Sequence, residues 1–220
     1  MKGFRYKLIS NDKDIDFAKV DRCLYGVSVG TELKIDRIID GYFWARENFS
    51  RCRILIGDSL FRFTIQIQSG CDAKSALKQS ADQGERVLNN ILTQIAHKPE
   101  VVRCSEIMKD SVFYKYKKNV ENLYADNMHF KSSLEDDALN FVRRQAKKGR
   151  LAIPETEAIN ISIFYLVEEI AIYSLLADQG WRVDVYLGQE VPTLAKIISG
   201  EIPDISGSLL DRVNVSIRTR

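Results

Sequence analysis

The chain has 220 residues, with 32 Lys and Arg against 30 Asp and Glu, a formal net charge of +2. That balance excludes a histone-like or polybasic tail protein, so any contact with nucleic acid has to come from a local patch. At 45% hydrophobic and 28% charged residues, with 12 Gly and 4 Pro, the composition is that of a folded domain without low-complexity linkers. No stretch reaches the roughly 20 continuous apolar residues of a membrane helix. The best run, Ile159 to Leu176, is interrupted by Glu168 and Glu169. The N-terminal segment lacks a signal-peptide apolar core, so a cytoplasmic protein is expected. Cys23, Cys52, Cys71 and Cys104 form no C-x-x-C and read as free thiols, three of them in strand-like segments. Two histidines, His97 and His129, are too few for a His-rich metal centre, and no metal is expected.

In chain order, Phe4 to Ile9 reads as a short edge strand or an arm. Arg22 to Gly30 is an apolar run ending in small residues, a buried strand that enters a tight turn. Residues 31–49 place Leu33, Ile35, Ile38, Ile39, Tyr42 and Phe43 at helical spacing. Arg53 to Asp58 predicts a second strand, Asp72 to His97 a long polar helix stopped by Pro99, and Glu100 to Ser105 a third strand. Residues 106–148 predict helix in two or three pieces, ending at Gly149. Pro154 opens a further helix and Gly180 closes it. Trp181 to Tyr186 predicts a fourth strand, Pro192 to Ser199 a short helix and Arg212 to Ile217 a fifth strand. Strands alternating with helices, with neither repeat nor linker, predict an α/β fold. The expectation is one Rossmann-like domain over residues 1–220, its mainly parallel central sheet covered by helices. Ligands of such sheets bind at the carboxyl ends of the strands, so the first βα turn is the place to look.

That turn reads Gly26-Val27-Ser28-Val29-Gly30, a G-x-S-x-G pattern. It sets a serine on a sharp bend whose glycines avoid side-chain clashes, with backbone N–H groups nearby to stabilise an oxyanion. The alternative is a small-residue phosphate or nucleotide turn, although neither a G-x-G-x-x-G nor a P-loop is present. A serine hydrolase needs an acid and then a histidine after the serine, and only His97 and His129 follow, both in polar helical stretches. The second informative segment is residues 159–172, apolar around almost the whole helix, which predicts burial and makes Glu168 and Glu169 unexpected. At about 100° per residue the two glutamates diverge, whereas Tyr165 and Glu169 share one stripe. Solvated glutamates on a helix breaking the surface are the alternative. In the fourth strand Asp184 and Tyr186 point to one side.

Taken together, Ser28 in Gly26-x-Ser28-x-Gly30, Tyr165-x-x-x-Glu169 and Tyr186 on the following strand resemble the tRNA-dependent cyclodipeptide synthases, over roughly residues 20–200. The resemblance implies a monomeric Rossmann domain similar to the catalytic domain of class I aminoacyl-tRNA synthetases. It also implies the synthesis of 2,5-diketopiperazines from two aminoacyl-tRNAs. No H-I-G-H-like or K-M-S-K-S-like run is present, in keeping with substrates that arrive already activated and with no cofactor. By resemblance, Ser28 is the nucleophile that receives the first aminoacyl group, and Glu169 pairs with its α-ammonium and helps to remove its proton. Tyr165 holds the amine in place, the amine of the second aminoacyl-tRNA attacks to give a dipeptidyl-enzyme, and Tyr186 assists the proton transfers of cyclisation.

The first aminoacyl pocket implied by the resemblance contains Leu24, Gly26, Ile56, Ile172 and Asp184, and Glu190 belongs to the second. Asp184 stands where the family usually has an apolar residue, which would bias the pocket to a polar or cationic side chain. The alternative is a salt bridge with Arg182 or another arginine. Thr31 stands where much of the family has Asn, which implies the branch without it. The family's basic tRNA-binding helix is matched thinly by Lys74, Lys78, Arg86 and Lys98, diluted by Asp72, Asp82 and Glu85. Arg143, Arg144, Lys147, Lys148 and Arg150 form a denser cluster without an acid, either an RNA contact or a solvated face. The competing readings are a non-catalytic Rossmann-type module that binds tRNA or a nucleotide, and a serine hydrolase.

Overall fold

A computed structural model describes residues 4–10, 20–30, 34–188, 190–202, 207 and 209–219. Its elements are β1 (Phe4–Ser10), β2 (Arg22–Val27), α1 (Ile35–Asn48), β3 (Arg51–Ile56), α2 (Phe61–Ser69), α3 (Ala73–Leu92) and β4 (Glu100–Arg103). There follow α4 (Cys104–Ile107), α5 (Ser111–Asp126), α6 (Met128–Lys147), α7 (Glu155–Asp178), β5 (Val183–Tyr186), α8 (Pro192–Ile198) and β6 (Val213–Thr219). The strands form one sheet in the order β1-β6-β5-β2-β3-β4. β1 is antiparallel to β6, and the five strands from β6 to β4 are mutually parallel. From β2 the chain builds outward to β3 and β4 on one side and later to β5 and β6 on the other. The order therefore reverses between β2 and β5, and a crevice opens above their carboxyl ends.

Alternation along each strand sorts the core into two layers. Tyr25, Val27, Ile54, Ile56, Val185 and Val215 pack with Ile38, Ile39, Tyr42 and Ala45 of α1 and Ile91 of α3. Leu24 and Leu55 pack on the other side with Phe113 of α5, Leu134 of α6, Ile170 and Ile172 of α7 and Leu194 of α8. At about 25 cal/mol per Å² of apolar surface, burial on both faces is what holds strands of only four to seven residues in register.

Beyond shifts of a few residues at other element ends, three features differ from those read in the sequence. The helix α2 is absent from that reading: Phe61-Arg62-Phe63-Thr64-Ile65-Gln66-Ile67-Gln68 alternates with the two-residue period of a strand. Packing against α3 and α7 overrides the pattern and buries Phe63, Ile65 and Ile67 along a helix. The third parallel strand stops at Arg103, because Asp58 at the end of β3 accepts hydrogen bonds from the Ser105 N–H (2.9 Å) and hydroxyl (2.6 Å) and starts α4 there. The long polar helix ends at Leu92, short of His97. Thr31 lies outside the described residues.

By length and composition α7 could cross a membrane, yet 56% of its most apolar window is buried inside the fold. Glu168 is not at the surface: it is 3% exposed. Its two oxygens accept from Arg62 Nη2 of α2 (2.5 Å) and Lys117 Nζ of α5 (2.9 Å), so one carboxylate ties two helices to the third. Removing it strands both cations. Glu168→Ala is expected to lower stability by about 3 kcal/mol, the lower end for a broken buried pair because both cations keep some access to water. Urea denaturation measures this as a lower midpoint at unchanged slope.

Candidate active site

A cavity of about 1170 Å³ lies over the carboxyl ends of β2, β3 and β5 and is roofed by α2, α6 and α7. Ser28, the first residue after β2, faces into it, and its Oγ is 2.8 Å from the hydroxyl of Tyr186, the last residue of β5. This pairing follows from sheet register, in which Gly26 lies beside Tyr186. The glycines of the turn serve their neighbours. A Cβ on Gly26 would press within 3.3 Å of the Tyr186 ring, and one on Gly30 would lie 1.9 Å from the Phe61 ring in the cavity wall.

From α7, Tyr165 donates to Glu169 Oε1 at 2.8 Å, one helical turn on. The Phe63 ring meets Tyr165 edge-on at 6.3 Å between centroids. Glu169 Oε2 is buried and has no hydrogen-bond partner among the described residues. Burial pushes its carboxyl up to about 8, against the opposing hydrogen bond from Tyr165. Burial likewise raises the Tyr186 and Tyr165 phenols, so both hold their protons at neutral pH. Ser28, Tyr165, Glu169 and Tyr186 thus share one cavity.

The expected pocket residues divide. Gly26, Ile172 and Glu190 line the cavity, whereas Leu24, Ile56 and Asp184 do not. Ile56 belongs to the opposite layer, since it is Leu55 that pairs with Gly26 across the sheet and shares its face. Leu24 and Asp184 lie on the right face, one residue pair nearer the amino ends, and are buried under the floor. Asp184 faces Arg212, whose Nη2 is 3.8 Å from Oδ2, while Arg182 pairs with Asp211 on the outside. Leu55, Leu60, Phe63, Cys104 and Ile172 give the cavity an apolar part of its lining, to which the buried Asp184 does not belong. Arg143, Arg144, Lys147, Lys148 and Arg150 are exposed and border the same cavity at its rim. Lys74, Lys78 and Arg86 are exposed on α3 and do not border it.

Sequence reasoning missed the contributions of α2 and α4 and a buried polar cluster behind the cavity. Arg212, just before β6, is 1% exposed and stacks on the Tyr173 ring at 3.9 Å. Its Nη2 is also 3.9 Å from Glu190 Oε2. Tyr173 had a signal, the i, i+4, i+8 stripe of Tyr165, Glu169 and Tyr173. Arg212 had none, because an arginine ahead of an apolar strand is usually exposed.

Neither histidine borders the cavity, and His97 Nε2 is instead 2.9 Å from Arg46 Nη1. A serine without a histidine base suits an acyl donor that arrives activated, and a carboxylate lacking a partner suits an ammonium. Fold and cavity together define a Rossmann-type acyl transferase. The cyclodipeptide synthase family model matches residues 10–175, and the chain belongs to that family of enzymes. Among solved structures it is similar to a cyclodipeptide synthase from Fluoribacter dumoffii (TM-score 0.75, 18% identity, covering 99% of this chain and 100% of that one). It is also similar to a Mycobacterium tuberculosis protein described as demonstrating that cyclodipeptide synthetases are related to type I tRNA synthetases (TM-score 0.73, 18% identity, 100% and 94% covered). A third similar structure is a cyclodipeptide synthase from Candidatus Glomeribacter gigasporarum bound to Phe-tRNAPhe (TM-score 0.65, 17% identity, 92% and 89% covered). A comparison with curated proteins found no match.

Proposed function

We propose that the chain joins two aminoacyl groups, delivered by aminoacyl-tRNAs, into a cyclic dipeptide through esters of Ser28. Ser28 Oγ attacks the first ester carbonyl, the bond to the ribose oxygen breaks, and that oxygen leaves with the serine proton. The α-ammonium of the bound residue sits on Glu169 Oε2, beside the Tyr165 hydroxyl. An α-amine titrates near about 8, so transfer of its proton to a carboxylate at about 8 costs little and leaves a nucleophilic amine.

Atom balance corrects the direction of the next step. Were the incoming amine to attack the Ser28 ester, the dipeptide would depart on tRNA. For the dipeptide to stay on Ser28, the Ser28-bound amine attacks the carbonyl of the second aminoacyl-tRNA. In the last step the new terminal amine attacks the Ser28 ester, the ring closes, and Tyr186 gives a proton to the departing Oγ at 2.8 Å. The apolar wall of Leu55, Cys104 and Ile172 favours an apolar first side chain. One chain supplies every group named, which supports reading it as a monomer, acting in the cytoplasm where aminoacyl-tRNAs are made.

The observation that carries this reading is the convergence of Ser28–Tyr186 and Tyr165–Glu169 on one cavity. Its test is the intact mass of the protein mixed with aminoacyl-tRNA. An adduct equal to one aminoacyl group, released by hydroxylamine, is expected, and an unmodified mass with no diketopiperazine in the reaction sinks the reading.

Substrate delivery is assigned to the rim. The structure from Candidatus Glomeribacter gigasporarum holds Phe-tRNAPhe, and here five basic residues border the cavity mouth where an acceptor end would enter. Lys147→Ala with Lys148→Ala is expected to weaken tRNA binding. It should also flatten the plot of log affinity against log salt by about 0.7–0.9 per lost phosphate contact. Titrations at several salt concentrations measure this, and an unchanged slope assigns the cluster to solvent. Equivalent changes at Lys74 and Lys78 are the comparison.

A further inference from the structure

Making a cyclic dipeptide engages two α-amino groups, and Glu169 serves only one of them. We propose that Glu190, in the loop after β5, holds the α-ammonium of the second aminoacyl group and takes its proton before ring closure. This rests on the reading of Ser28 as the acyl carrier. Glu190 lines the cavity that holds Ser28, Tyr186 and Glu169, yet its side chain is only 7% exposed. A carboxylate buried in a wall is costly unless something cationic meets it.

The fold aims this carboxylate from two directions. Asn214 Nδ2 donates to Oε2 at 2.6 Å, and the Val191 N–H donates to Oε1 at 3.1 Å. Ser216 Oγ donates to Asn214 Oδ1 at 3.0 Å, which turns the amide nitrogen toward Glu190. Two side chains of β6 are therefore committed to orienting one acid. The charged and titratable groups around it are Arg212, Asp184, Glu169, Tyr173 and Tyr186. Arg212 is divided between Asp184 at 3.8 Å and Glu190 at 3.9 Å and hydrogen-bonds neither through its Nη atoms. One guanidinium thus faces three carboxylates, and two negative charges stay uncompensated when all are ionised. The reaction brings two ammonium groups. Burial also raises the Glu190 carboxyl, which brings it closer to the range of an amine.

After the first peptide bond forms, the terminal ammonium of the Ser28-bound dipeptide passes one proton to Glu190. The neutral nitrogen attacks the Ser28 ester carbonyl, forming the ring C–N bond and breaking C–Oγ. The second nitrogen proton moves through the Tyr186 hydroxyl to Oγ, and Glu190 returns its proton to water as the product leaves.

The test follows Ser28 adducts and released diketopiperazine by mass spectrometry at pH 7 and pH 9 for the wild type, Glu190→Gln and Glu190→Asp. Glu190→Gln is expected to load Ser28 normally and accumulate dipeptidyl-enzyme, with release slowed about a hundredfold at pH 7. Release should largely recover at pH 9, where the amine loses its proton unaided. Glu190→Asp keeps the charge one methylene short, so it should slow ring closure about tenfold and leave loading unchanged. It serves alone if the Gln variant does not fold. Wild-type release by either variant, or a defect confined to the first loading, overturns the proposal. If the wild type never forms a Ser28 adduct, the reading of Ser28 fails as well. If adducts form and the variants release product normally, only the role of Glu190 fails.

Discussion

Ser28→Ala is expected to abolish the aminoacyl adduct and to lower diketopiperazine formation by at least about a thousandfold, because only binding and orientation remain once the nucleophile is gone. The change removes one hydroxyl at the cavity surface and its 2.8 Å bond to Tyr186. The folded state should lose no more than about 1 kcal/mol. Tight binding of aminoacyl-tRNA should survive, since no group assigned to the rim is altered. Three readouts separate chemistry from folding: intact mass for the adduct, thermal unfolding for stability, and filter binding for tRNA. A Ser28→Ala protein that still formed product would mean that the acyl group passes directly between two tRNAs.

Glu169→Gln is the second change with a large effect, for the opposite structural reason. The amide keeps an acceptor for the Tyr165 hydroxyl, now held at 2.8 Å, and fills the same space. It loses the charge that holds an ammonium and the base that takes its proton. Peptide-bond formation should fall by about 10²–10⁴, with aminoacyl-enzyme accumulating. The wild-type rate should rise with pH as Glu169, near about 8, and the Ser28-bound amine lose the proton they share, and then level off once the amine is neutral. In the variant the rate should rise only through the amine's own titration, so the deficit should narrow by pH 9. Stability moves the other way. The Glu169 carboxyl is raised in the folded chain above its unfolded value of about 4.3. Between roughly pH 4 and 8 the folded state therefore holds the extra proton, and its stability declines as pH rises through that window. Glu169→Gln should reduce this decline, leaving the part due to Asp184 and Glu190, which burial also raises, and give a higher melting temperature than wild type at pH 8.5, the mark of a residue retained for function at a cost in stability. Equal melting temperatures would argue that Glu169 is ionised without strain.

Some of this site was legible along the chain and some was not, and the division follows from how each residue reaches the cavity. Ser28 could be read because a glycine-flanked serine after an apolar run declares both its turn and its place at a strand end. Tyr165 and Glu169 could be read because helical period puts them on one stripe. Glu168 resisted, since its partners Arg62 and Lys117 are far away in the chain and sequence offers no way to distinguish a paired buried acid from a solvated one. α2 was missed because its two-residue alternation suits a strand until α3 and α7 are packed beside it.

Outside α2, the order of apolar runs, helical stripes and turns determined locally which segments are strands and helices and which residues each turns to one side, and those short-range rules need no partner. Only the tertiary structure decided that Leu55 and not Ile56 faces the crevice, that Asp184 turns to Arg212, and that β6 reaches across to steady Glu190. Those outcomes depend on register and on contacts between residues far apart in the chain, where a shift of one position reverses the face a side chain presents.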